Sequence, residues 1–180
     1  MKPGAGKLKG NSFERHISRI LTKWVTGSEH PEIFWPTSAS GAKATQDHKA
    51  GRQSKMYGDI MAIDDVGTWF TDHILIECKS YKTFDIAKLL LDKGEILGWW
   101  NQACEGAGKA EKIPILVFKK NHFPILVAMR NLSLFEEDLI GNYRNSYIQA
   151  QDSKKYVLFI CLFEEWLEFL DPKILKAVWR

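Results

Sequence analysis

The sequence predicts a single α/β domain, a central mixed β-sheet flanked by helices. Three observations carry this. Apolar residues at helical spacing lead the chain, short apolar runs that read as strands recur through its middle, and amphipathic segments close it. With 180 residues, 45% of them hydrophobic, the chain is long enough to bury its own core. It shows no internal repeat and no convincing linker, so we expect a basic flexible arm over residues 1–10 and one domain over residues 11–180.

Asn11 or Ser12 can cap a first helix whose apolar positions are Phe13, Ile17, Ile20, Leu21 and Trp24, a single buried stripe. Glu14 lies beside that stripe and can point toward the sheet; alternatively, Asn11-x-x-Glu14 is a capping-box arrangement. Ile33-Phe34-Trp35 is a short strand ended by Pro36. The polar segment from Thr37 to Tyr57 is too long to be a simple connection, and reads either as a DNA-contacting loop or as plain disorder. Asp59 opens the apolar run Ile60–Ile63, a buried strand; Asp64-Asp65-Val66-Gly67 reads as a turn, and Trp69 to Lys79 contains the return strand. Phe84 to Cys104 carries helical spacing, stopped by Gly106-Ala107-Gly108. Ile113–Phe118 and Pro124–Met129 form a hairpin through Lys119-Lys120-Asn121-His122. Residues 131–155 read as a short helix plus an exposed connection, Tyr156–Leu162 as a last strand, and Glu164–Leu170 and Pro172–Trp179 as two short helices.

The chemistry concentrates at Asp59 and at Ile74-Leu75-Ile76-Glu77-Cys78-Lys79. Strand alternation puts Leu75, Glu77 and Lys79 on one face and Ile74, Ile76 and Cys78 on the other. A carboxylate and an ammonium in an apolar strand are costly to bury without partners. Asp59 and Glu77 together offer two oxygen ligands for a hard divalent cation, with Lys79 placed to orient a water or neutralise a phosphate. The plainer alternative is a Glu77–Lys79 ion pair on a half-exposed strand, with Asp59 a turn residue.

The formal net charge is +3, unevenly distributed. Residues 1–56 carry ten Lys and Arg against four Asp and Glu, and the rest carries fifteen against eighteen. A basic front half suits a polyanionic partner, although a solvated basic arm would look the same. The three cysteines, Cys78, Cys104 and Cys161, show no metal-ligand spacing and suggest a reducing, intracellular setting, with Cys78 and Cys161 in the core. The amino terminus has no signal-peptide pattern and the apolar runs are too short to span a bilayer, so a soluble protein is expected.

A helix Glu, then Asp, then ExK, then a helix bearing Gln resembles the PD-(D/E)xK nuclease superfamily, and within it the archaeal-type and phage Holliday junction resolvases. Gly10-Asn11-Ser12-Phe13-Glu14-Arg15 matches their G-x-x-x-E-R helix, Ser38-Ala39-Ser40-Gly41 after Pro36 echoes their serine-glycine loop, and Asp59 and Glu77-Cys78-Lys79 match their acidic and E-C-K strands. The resemblance covers about residues 7–130. Gly58 stands where the superfamily has proline, and the loop between Ser40 and Asp59 is longer than in compact resolvases.

The resemblance implies a restriction-endonuclease-like domain that hydrolyses DNA phosphodiesters with Mg²⁺, or Mn²⁺ in its place. Asp59, Glu77, the Cys78 backbone carbonyl and Glu14 would hold the metal. Glu14, Asp59, Glu77, Lys79 and Gln102 would form the catalytic set, Gln102 orienting Lys79 or a phosphate unless it is merely a polar helix-surface residue. Lys7, Lys9, Arg15, Arg19, Ser40, Lys43, Lys49, Arg52, Lys55 and Lys82 would contact DNA. A four-way junction needs two symmetric cuts, which a homodimer delivers; Trp99-Trp100, Trp166, Phe169 and Trp179 are candidate interface material unless they are core. The location implied is the cytoplasm, that of the host if the gene is a phage's. Two other functions remain open: another nuclease of the same superfamily acting on duplex DNA, and a non-catalytic DNA-binding domain.

Overall fold

The computed structural model describes residues 5–37, 57–130, 147–152 and 154–179, with side chains in the first helix described from Ser12 onward. Five strands form one mixed sheet: β3 (Ile74–Tyr81), β4 (Ile113–Lys120), β5 (Leu126–Arg130), β7 (Val157–Leu162) and β6 (Tyr147–Gln151), in that spatial order. β3 and β4 are parallel, and every other neighbouring pair is antiparallel. A separate antiparallel pair, β1 (Phe34–Pro36) and β2 (Ile60–Ala62), lies beside the β3 edge.

Helices cover both faces of the large sheet. Helix α1 (Ala5–Thr26) packs Phe13, Ile17 and Leu21 with Ile74, Ile76 and Cys78 of β3, Ile115 and Val117 of β4, and Val127 and Met129 of β5. Helices α4 (Phe163–Phe169) and α5 (Pro172–Val178) join that layer through Trp166, Leu167 and Leu175, and Trp24 of α1 donates from Nε1 to the Leu170 carbonyl at 2.9 Å. On the opposite face, helix α3 (Glu95–Ala110) sets Ile96, Trp99 and Trp100 against Leu116, Phe118, Leu126, Ala128, Leu158 and Ile160. Successive residues of β4 thus bury on opposite faces, which is why Ile115–Phe118 reads as an unbroken apolar run.

Several local expectations are corrected. Asp64–Gly67 is no turn into a strand: Asp64 accepts from the Val66 N–H and caps helix α2 (Asp65–His73), which presents Trp69 and Phe70 to the core. Gly67 on this helix packs so closely that an added Cβ would meet the Phe34 ring at 2.9 Å. The segment expected as one helix from Phe84 divides into a 3₁₀ helix (Ile86–Leu91) and α3, separated at Asp92 (φ 50°) and Gly94 (φ 105°). Gly106 and Gly108 lie inside α3, which ends instead where Glu111 adopts φ 55° and its N–H bonds the Ala107 carbonyl. Gly106 faces Leu75 of β3, with an added Cβ 3.6 Å from Leu75 Cδ1.

Helix α1 starts at Ala5, so residues 5–10, read as arm, are helical, and Glu14 lies well inside the helix rather than at a capping-box position. Within the span read as helix plus connection, Tyr147–Gln151 is the edge strand β6; only Ile148 and Ala150 face the core, so its sequence is too polar to announce itself. The aromatics offered for a dimer interface belong to this chain's own core. Trp100 and Trp166 are essentially fully buried and Trp99 nearly so, Phe169 packs against the α1-side core, and Trp179 stacks on His73 at 5.3 Å. Cys78 and Cys161 are buried, as expected. No helix among the described residues is long and apolar enough to cross a membrane.

Candidate active site

The β3 edge not paired to β4 is where the polar side chains gather. Asp59, just before β2, is the link: its N–H donates to the Ile76 carbonyl at 2.7 Å, and its Oδ2 accepts from the Cys78 N–H at 2.8 Å. The first expectation, that the Asp59 strand neighbours the Glu77 strand, therefore holds at Asp59 itself, while β2 beyond it ladders with β1. Ile76 and Cys78 have the same strand parity, so the Cys78 carbonyl also looks onto this edge. Asp59 and Glu77 are only 9% and 8% exposed.

A backbone clasp holds Asp59 in place. Thr37 donates from Oγ1 to the Gly58 carbonyl at 2.7 Å, and from its N–H to the Asp59 carbonyl at 2.9 Å. Gly58 sits at φ +83°, which proline, locked near −65°, cannot adopt, so glycine here is a backbone requirement. An added Cβ would stand 3.0 Å from Leu75 Cγ and 3.1 Å from the Ile76 carbonyl. Gly58→Ala is therefore expected to cost about 1–3 kcal/mol of stability and to lower activity by displacing Asp59. Thermal melts and cleavage assays check this, and a variant matching wild type in both would refute the clasp.

Glu77 and Lys79 share a strand face, as alternation requires, and form a 2.7 Å ion pair through Glu77 Oε1. Gln102, exposed on α3, reaches the same oxygen from the opposite helix layer, donating from Nε2 at 2.9 Å. Burial pushes the Glu77 carboxyl up, Asp59 adds to this, and Lys79 opposes it. Burial works against the Lys79 charge, but Glu77 beside it outweighs this and holds the ammonium above the usual lysine value.

Glu14 approaches from α1. Its carboxyl is pushed up to about 7, first by burial, then by the negative charges of Asp59 and Glu77, with Lys79 partly opposing. A folded-state value above the ordinary 4.5 means that ionising Glu14 opposes folding. The cost is absent below about pH 4.5, grows as pH rises, and is complete above about 7. Glu14→Gln is expected to remove that fall in stability, seen as a flatter melting temperature between pH 5 and 8; an unchanged pH profile would contradict it.

The donor set is chemically suited to a hard cation: carboxylate oxygens from three elements and a strand carbonyl, their mutual repulsion visible in the raised Glu14 and Glu77 values. Among the described residues no three His, Cys, Asp or Glu side chains already close into a ligand cage, and here the Lys79 ammonium supplies the positive charge against Glu77.

Of the remaining candidates, Arg15 stacks over the Trp35 ring at 4.5 Å and Arg19 pairs with Glu32 at 3.1 Å. Lys82 is exposed just past β3. Ser40, Lys43, Lys49, Arg52 and Lys55, and the side chains of Lys7 and Lys9, lie outside the described residues. The sequence reading missed Thr37, whose only signal was a short polar residue directly after the β1 proline.

A family model described as "Phage putative PDDEXK endonuclease" matches residues 5–176. The chain belongs to this endonuclease family. No curated protein and no solved structure matches it. The match runs from the start of α1 into α5, so Glu14, Asp59, Glu77, Lys79 and Gln102 all fall within the matched residues.

Proposed function

We propose that this endonuclease hydrolyses DNA phosphodiesters at the Glu14–Asp59–Glu77–Lys79 cluster with Mg²⁺ or Mn²⁺, and that its substrate is a four-way junction. The observation that carries the chemistry is the convergence of three carboxylates and a charged lysine on one strand edge. Asp59, Glu77, the Cys78 carbonyl and Glu14 are the groups that would hold the cation. When bound, it would polarise the phosphate and acidify a water.

The chain's own residues divide the remaining work. Lys79 keeps its proton at neutral pH, so it acts as a cation against the charge developing on phosphorus rather than as a base. Glu14, its carboxyl raised by burial and by Asp59 and Glu77, reaches in from α1 and would meet the cation or its water. Gln102 fixes the Glu77 carboxylate and so positions Lys79.

The junction reading rests on the G-x-x-x-E-R and E-C-K resemblance, and a homodimer would deliver its paired cuts. A second reading, a nuclease acting on linear duplex, gains from the burial of the interface aromatics in the chain's own core. Incubating a labelled junction and a matching linear duplex with Mg²⁺, with Mn²⁺ and with EDTA separates them. Paired, metal-dependent nicks confined to the junction are expected. Equal cutting of both substrates would discard junction specificity.

A further inference from the structure

A second feature of the surface is a cleft of about 1080 Å³ between α1 and the β4–β5 turn. Its lining includes Arg15 and Arg19 of α1, Lys119 and Lys120 at the end of β4, and His16 and His122, with no acidic residue among the lining groups. The volume far exceeds what one small anion would fill. Resting on the nuclease reading, we propose that this cleft holds the sugar-phosphate backbone of the DNA strand flanking the cut, with Lys119, Lys120 and His122 as its phosphate contacts.

The register connects the cleft to the active site. Ser80, which follows Lys79, lines the cleft and pairs with Lys119 in the β3–β4 ladder, and Tyr81 pairs with Lys120. Lys119 therefore stands one strand spacing, about 4.8 Å, from the strand that carries Glu77 and Lys79, on the α1 face from which Glu14 approaches rather than on the face of their side chains. Two spacings, about 10 Å, reach the β5 side of the turn.

The two lysines are held but not neutralised. Lys119 Nζ lies over the Phe13 ring at 5.2 Å, and Lys120 Nζ lies over Phe84 and Phe123 at 5.4 and 4.9 Å. Among the described residues, neither lysine meets a carboxylate within ion-pair distance. Aromatic rings, and for Lys120 the Phe84 carbonyl at 3.4 Å, thus fix the side chains while leaving the charge to an outside anion. Asn121 to Pro124 are exposed, so a strand can enter without rearrangement of the sheet.

The test is binding of fluorescein-labelled duplex and junction DNA, by anisotropy in EDTA over a salt series, with cleavage in Mg²⁺ measured in parallel. Lys119→Gln/Lys120→Gln is expected to weaken binding at least about tenfold at 0.1 M salt and to lower the log–log salt slope by about 2. Lys119→Arg/Lys120→Arg should restore both, which a purely structural role for the lysine stems would not predict. His122→Gln, on the exposed turn, provides a second and structurally milder variant, expected to weaken binding less. Wild-type affinity and slope in the double Gln variant would overturn the cleft assignment, as would salt-independent binding by the wild type. Cutting that persists with an unaffected double variant leaves the nuclease reading standing. Lysine-dependent binding without any metal-dependent cutting keeps the cleft and removes the nuclease reading.

Discussion

Glu77→Gln is expected to lose metal-dependent cleavage by about 10³-fold, ~4 kcal/mol of transition-state stabilisation, while unfolding no more readily than wild type at pH 7.5. The two halves of this result come from one environment. Glu77 is buried beside Asp59, and its carboxyl is pushed above its ordinary value of 4.5 despite Lys79. A carboxyl raised in the folded state is an acid whose ionisation opposes folding, so its cost appears as pH rises past about 4.5. The amide removes that cost and can still accept from Lys79 and Gln102 through its oxygen. What it cannot supply is an anionic ligand for a hard cation. A variant with full activity would show that the chemistry happens elsewhere, and one that melts well below wild type would show that Glu77 is structural.

Asp152→Ala is expected to destabilise the fold by about 3–5 kcal/mol, lowering the melting temperature by roughly 10 °C, with no direct effect on the site. The Asp152 side chain is 1% exposed and joins four donors. Oδ2 accepts from Trp100 Nε1 at 3.3 Å and from Arg130 Nε at 2.8 Å, and Oδ1 accepts from the backbone N–H groups of Lys154 and Tyr156. Alanine would strand all four, one of them a guanidinium. Burial alone would raise the Asp152 carboxyl, but these donors outweigh it and hold it below the usual 3.8. Its stabilisation is therefore complete above about pH 4 and lost as pH falls through the lowered value. Calorimetric melts at pH 3 and pH 7 check this; a variant as stable as wild type at pH 7 would contradict it.

The parts legible in the sequence are those where one physical rule acts alone. Residues Ile115–Phe118 bury on both sheet faces, so their apolar run announces a central strand, and the β4–β5 hairpin follows. The Glu77/Lys79 spacing fixes a shared face through strand parity, whatever surrounds it. Where tertiary contacts decide, the sequence misleads. Asp64–Gly67 carries turn residues because Asp64 caps a helix, and Gly106, which has the look of a stop, lies inside α3. The polar edge strand β6 shows the same limit, since three of its five residues face solvent. At the site, helix spacing already allowed Glu14 to point toward the sheet, while a capping-box position was equally open and its metal role came only from the resemblance. The basic turn Lys119–His122 read only as a connection, because its proximity to Arg15 depends on how α1 crosses the sheet.

The most direct test of the metal centre is paramagnetic broadening by Mn²⁺, followed in amide NMR spectra of the wild type and of Asp59→Asn. The account predicts selective loss of signals around Asp59, Glu77–Lys79 and Glu14, reversed by excess Mg²⁺ and absent in Asp59→Asn. Broadening centred elsewhere, or unchanged by Asp59→Asn, would contradict a metal site at the β3 edge.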